Sequence, residues 1–148
     1  MTPTDVVNAV WDRIQGRDWD GVRALLADDL VVEWPASGER MTSADAFVGV
    51  QREYPEGWSI QVRRVGVLDG QVGGGQGSDD VTVVSEVQVP HLDLGVSAVV
   101  SLWVVRGGLV RSAREFWVDC AAQEPPGWRL RYAERYDGRL APVPGPEP

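Results

Sequence analysis

The chain changes its hydrophobic period once, near residue 58, and the change separates a helical third from a run of strands. Before it, Val6, Val7, Val10, Trp11 and Ile14 recur at helical spacing, with Thr4 or Asp5 as cap and Gly16 as stop. Asp18 caps a second, short helix carrying Trp19, Val22, Leu25 and Leu26, which closes at residues 27–29. Residues 30–34 read as a short strand stopped by Pro35, with a turn over residues 36–39. Thr42 or Ser43 then caps a third helix to about Glu53, with Ala46, Phe47, Val50 and Tyr54 on one face, and residues 54–57 break it.

After residue 58 the period is two. Strands are expected over 58–68, 81–89, 95–105 and 107–119, with Arg106-Gly107-Gly108 as a tight hairpin. The glycine-rich insert at 73–80 is followed by a β-branched run, whereas a phosphate loop opens a helix, so a hairpin loop is expected there. Pro125-Pro126-Gly127 ends the strands, residues 128–136 read as a short closing helix, and the proline-rich 141–148 as a disordered tail. Three helices followed by hairpin-linked strands predict a single α+β domain over residues 1–140, with helices on one face of an antiparallel sheet.

Within the last strand, Glu115 and Trp117 share a face with Leu109, Arg111, Ala113 and Asp119. A carboxyl beside an indole on a concave sheet face is a starting point for a small-molecule pocket; the plain alternative is a solvated Glu near a core Trp. Composition narrows the chemistry. With one cysteine, Cys120, and one histidine, His91, neither an internal disulfide nor a site built on several thiolates or imidazoles can form; an all-carboxylate site stays open but no calcium-type acidic loop is present, and no metal or cofactor is expected. A net charge of −8 argues against a nucleic-acid binder, and every cation is arginine, which removes lysine Schiff-base chemistry. Neither a membrane span nor a secretory signal is readable, so a cytoplasmic protein is expected.

The run Gly16-Arg17-Asp18-Trp19-Asp20-Gly21 leading to Leu26-Ala27-Asp28-Asp29, then Val32-Glu33-Trp34-Pro35, then Arg114-Glu115-Phe116-Trp117 after a glycine hairpin, resembles the SnoaL-like, polyketide cyclase-like members of the nuclear transport factor two-like superfamily. The resemblance covers residues 4–136 and rests on fold markers, not on a catalytic motif. It implies a cone: three N-terminal helices packed on a strongly curved antiparallel sheet, a pocket between them, and a homodimer through the outer sheet face.

The same resemblance tests two known mechanisms. Ketosteroid isomerase places its base at the position of Trp34, which cannot take a proton from carbon, its tyrosine near Val10 and its neutral aspartic acid near Ser101; of these two donor positions only Ser101 can donate a hydrogen bond. Limonene epoxide hydrolase needs an Asp-Arg-Asp relay where this chain has Ser97, Val99 and Ser101. A polyketide cyclase-type acid or base in an apolar pocket remains available.

Carried over by strand parity, the resemblance turns Glu115, Trp117, Ser101, Trp103, Glu86 and Gln88 toward the pocket, with Trp34 opposite and Tyr54 at the rim. If Glu86 and Glu115 share one apolar cavity, desolvation and repulsion keep one protonated as acid while the other serves as base. Otherwise each satisfies a buried partner: Arg111, Arg63, an indole N–H, or the other carboxyl. His91 in the following hairpin reads either as an acid/base at the pocket mouth or as a turn histidine. The expected function is binding of a small hydrophobic or aromatic molecule, with or without cofactor-free acid/base chemistry; a ligand-binding or dimerisation module without catalysis is the alternative.

Overall fold

The computed structural model describes residues 1–69 and 79–141. Helix α1 (Pro3–Gln15) buries Val6, Val7, Val10, Trp11 and Ile14, the stripe its spacing predicts. Its cap is Thr2, ahead of the expected Thr4 or Asp5. The Thr2 hydroxyl accepts the Asp5 N–H at 3.1 Å while the Asp5 carboxylate accepts the Thr2 N–H at 2.9 Å, a reciprocal box that satisfies two free N–H groups of the first turn. Helices α2 (Trp19–Arg23) and α3 (Ala44–Glu53) are capped by Asp18 and Ser43. Helix α3 buries Ala44, Phe47 and Val48, whereas Val50 and Tyr54 stay outside the core.

Six strands form one open sheet: β1 (Leu26–Trp34), β2 (Glu39–Met41), β3 (Gln61–Val67), β4 (Val81–His91), β5 (Gly95–Arg106) and β6 (Leu109–Asp119). Their order is β2-β1-β6-β5-β4-β3. The sheet is mixed, not antiparallel throughout, because β1 pairs with β6 in parallel. Strand β1 starts at Leu26, four residues before the expected position. Its register against β6 shifts between Leu26 and Val31, so the Ala27-Asp28-Asp29 segment that reads as a helix end lies within an irregular strand. Strand β2 begins at Glu39, inside the expected turn, and pairs Met41 with Val32.

The helices cover one face of this sheet, and the core between them holds Trp11, Ile14, Leu30, Phe47, Val83, Val87, Val99 and Trp103. Gly107 and Gly108 sit at φ +61° and +74°, the left-handed pair that a two-residue hairpin needs. Just beyond, Val104 pairs with Ser112 but Val105 with Val110, so Arg111 is an extra residue on β6. This bulge puts both Val110 and Ala113 in the core. The expected shared face therefore fails for Leu109 and Arg111 and holds from Ala113 to Asp119.

The expected helix over 128–136 reduces to one 3-10 turn, Gly127–Arg129: Trp128, Tyr132 and Tyr136 recur at helical spacing, but they and Leu130 are exposed, so no packing surface holds the segment as a helix. Residues 73–78 of the glycine-rich insert and 142–148 of the tail lie outside the described residues. No helix among the described residues is long and apolar enough to cross a membrane.

Candidate functional site

Three polar residues stand in one row across the concave face: Ser85 on β4 pairs with Ser101 on β5, which pairs with Glu115 on β6. All three are buried, and Glu115 is only 1 % exposed. Tryptophan is a donor without an acceptor, so a core that buries several indoles needs acceptors among them. Ser85 supplies one, accepting Trp103 Nε1 at 2.8 Å and Trp11 Nε1 at 3.2 Å. Glu115 supplies the other: Oε1 accepts Trp34 Nε1 at 3.0 Å and Oε2 accepts the Ser101 hydroxyl at 2.6 Å.

Burial pushes the Glu115 carboxyl up from its ordinary value, against the opposing pull of Ser101, Trp34 and Trp117. The Trp117 N–H favours the charged form without making a hydrogen bond of its own. Trp34 and Trp117 meet edge to face, ring centres 6.1 Å apart at 63°. On their other side lies a mainly apolar cavity of about 250 Å³, which both indoles line together with Tyr54, Trp58, Ile14 and Asp119. Glu115 does not line it. The carboxyl is an anchor beneath the wall, and its chemistry reaches the cavity through the indoles.

Of the residues expected at the site, Trp34, Trp117, Ser101 and Glu115 come together. Tyr54 lies on the cavity rim, 37 % exposed. Trp103 is no wall: it is wholly buried, edge-on to Trp11 and Phe47 at 5.7 and 6.4 Å.

Glu86 and Gln88 face the opposite side of the sheet. Because Ser85 is the direct partner of Ser101, Ser85 takes the inward position and its neighbours on β4 turn out. Glu86 meets Arg64 at 3.4 Å on that outer face, and Gln88 is covered there by Gln61 and by the Leu140 N–H. The two-carboxyl arrangement therefore does not form, and neither Arg63 nor Arg111 partners Glu115.

His91 is occupied structurally. Its Nε2 bonds the Pro55 carbonyl at 2.9 Å and its Nδ1 accepts the N–H groups of Asp93 and Leu94, which fixes the β4–β5 turn against the loop after α3. Burial pushes the Cys120 thiol up, so it stays protonated and is a poor nucleophile. Among the described residues no cluster of three or more His, Cys, Asp or Glu could hold a metal.

Sequence reasoning missed Trp58, Ser97 and Asp119 as cavity residues. Asp119 shares the parity of Glu115 and Trp117, which made its side legible; at the end of β6 it is exposed, as a solvated strand-end carboxylate would be, and borders the cavity as well. Trp58 was not, because it is held from outside the sheet. The Arg17 guanidinium stacks 3.4 Å from its ring centre, donates to its carbonyl, and is paired with Glu56 at 2.8 Å.

Helices on the concave face of an open sheet, with a cavity walled by aromatic side chains, define the ketosteroid isomerase-like architecture, and the fold is that of the nuclear transport factor two-like superfamily. Among solved structures, the chain is similar to a protein from Kribbella flavida provisionally named a ketosteroid isomerase, at 27% identity over 93% of each chain and TM-score 0.66. It is similar to an LEH-like epoxide hydrolase from M. tuberculosis at 20% identity over 77% of this chain and 80% of that one, TM-score 0.57. A protein from Xanthomonas campestris provisionally named a polyketide cyclase matches at 20% identity over 78% and 89%, TM-score 0.56. These neighbours agree with the SnoaL-like resemblance of the sequence. No family model matches the chain and no curated protein matches it.

Proposed function

We propose that this chain is a small-molecule-binding protein whose ligand is a compact, largely apolar molecule held between α1, α3 and the wall made by Trp34 and Trp117. The observation that carries this reading is the division of labour at that wall. Glu115 satisfies Trp34 from behind and does not line the cavity, so the indoles present a fixed apolar surface to a ligand. At about 250 Å³ the cavity falls just below the range of about 300–1,000 Å³ that suits drug-sized ligands, so a smaller molecule is expected.

A second reading, cofactor-free acid/base chemistry on the same molecule, is favoured by one observation: Asp119 lines the cavity beside Ser97, whose hydroxyl it accepts at 3.0 Å. The isomerase, hydrolase and cyclase names among the structural neighbours support it. In this reading Asp119 handles the proton and Glu115 positions the wall. Val100, Phe116 and Val118, exposed on the outer sheet face, support a homodimer through that face. We place the protein in the cytoplasm and expect neither nucleic acid nor membrane as a partner.

Titration with a panel of small aromatic and alicyclic molecules, read by tryptophan fluorescence, tests the binding reading. A saturable response that Trp117→Leu weakens at least tenfold is expected. A broad panel giving no saturable response would overturn it.

A further inference from the structure

We propose that the ligand of this cavity is an organic cation, an alkylated ammonium group seated among Trp34, Trp117 and Tyr54 with Asp119 as its counter-charge. The inference rests on the reading of this cavity as a binding site and names the chemistry that the site selects.

Four aromatic side chains, Trp34, Trp117, Trp58 and Tyr54, line a space of about 250 Å³, an aromatic density beyond what a merely apolar pocket requires. Aromatic rings attract cations through their quadrupole, indole most strongly, and the attraction grows as water is excluded. Among the described residues the lining's only charged side chain is Asp119, and none of the 14 arginines contributes to it. The Ser97 hydroxyl holds Asp119 Oδ1, and among the described residues Oδ2 accepts nothing, so at the exposed end of β6 half of the carboxylate is open to solvent and to a ligand at the cavity mouth.

The Arg17 guanidinium lies on the Trp58 ring and weighs partly against that ring as a cation site, since a ring with one cation on its face attracts a second less. Its charge is offset by the two-point pairing with Glu56, and the cage is therefore assigned to Trp34, Trp117 and Tyr54 rather than to Trp58. Glu115 reinforces the Trp34 indole: a carboxyl accepting an indole N–H pushes electron density into the ring, which strengthens its hold on a cation. A net charge of −8 adds long-range attraction of the same sign.

The test compares choline with its neutral isostere 3,3-dimethylbutan-1-ol, titrated into the full chain by calorimetry and tryptophan fluorescence. Choline is expected to bind at least tenfold more tightly, about 1.4 kcal/mol. Raising the salt concentration should narrow that gap. Asp119→Asn is expected to lower choline affinity several-fold and to leave the neutral isostere unchanged. Tyr54→Leu, at an exposed rim position where folding is not at stake, should do the same to a smaller degree. Equal affinity for the two probes overturns the cation inference and leaves the binding reading intact. The same follows if neither probe binds while neutral members of the wider panel do. If no molecule of either set binds, both fall together.

Discussion

Glu115 Oε1 accepts the Trp34 indole N–H at 3.0 Å across the parallel β1–β6 pair, so a residue on each strand fixes the other's side chain. Burial makes this carboxyl hold its proton more tightly in the folded protein than in the unfolded chain. Below the ordinary value of 4.5 both states carry the proton and the group is neutral to stability. As pH rises past that value the unfolded chain releases its proton first, so folding loses stability until the folded value is reached, and the loss is constant above it. Glu115→Gln keeps an acceptor for Trp34 and a donor for Ser101 without the titration. It should match the parent near pH 4 and exceed its stability near pH 8. Thermal melts at both pH values check this, and a gap that does not change with pH would assign the titration elsewhere.

Removing the anchor altogether has the opposite sign. Glu115→Ala leaves the Trp34 N–H and the Ser101 hydroxyl without their buried partner and opens a hole beneath the wall, a loss of about 2–5 kcal/mol. Trp34→Phe keeps an aromatic side chain while removing the donor and part of the indole's area, and should cost about 1–2 kcal/mol. Urea unfolding of the two variants is expected to give that order. The reverse order would mean that Trp34 holds Glu115 in place.

The helices were legible because each carries its own evidence: the stripe of α1 lies within thirteen residues, and Asp18 and Ser43 are caps with donors in reach. The face of Glu86 was not, because strand parity tells which residues share a side and not which side is in. The register of the β4–β5 hairpin decides that, and it follows from where the turn falls. With the turn at Leu92–Leu94, Ser85 must oppose Ser101, and Glu86 goes out. The parallel β1–β6 pairing was hidden for another reason: it joins segments some eighty residues apart, beyond any local pattern, and with it the Trp34–Glu115 contact.

Gly57 should tolerate no side chain. Its φ is +123°, and a Cβ there would meet His91 Cε1 at 2.8 Å. The imidazole cannot yield, being tied to the Pro55 carbonyl and to the Asp93 and Leu94 N–H groups. Gly57→Ala is expected to lose about 1–3 kcal/mol and to loosen the edge of the cavity at Trp58. Hydrogen exchange at Leu92, whose N–H bonds the Gly57 carbonyl at 2.9 Å, should quicken; unchanged exchange would show that the loop absorbs the methyl.

The homodimer proposed through the outer sheet face would rest on Phe116 and Val118, which are 41% and 57% exposed beside Val100. Phe116→Glu puts a charge where an apolar contact would be buried, and should leave a monomer where the parent is expected to dimerise, with little change in the fold. Sedimentation equilibrium on parent and variant decides it. A parent that is already monomeric at high micromolar concentration would remove that face as an interface.

Glu86 and Glu115 are the pair whose separation most sharply tests the assignment of faces. Glu86 lies outside, its carboxylate 3.4 Å from a mostly exposed Arg64, and such surface pairs contribute little. Glu86→Gln should therefore change stability by less than about 0.5 kcal/mol and leave ligand uptake as it was. Glu115→Gln should instead alter the pH dependence of stability, and of uptake as well, because its side chain holds Trp34. Fluorescence titrations of both variants from pH 5 to pH 8 separate the two. If Glu86→Gln disturbs uptake as much as Glu115→Gln does, both carboxyls communicate with the cavity, and the inward assignment of Ser85 is wrong.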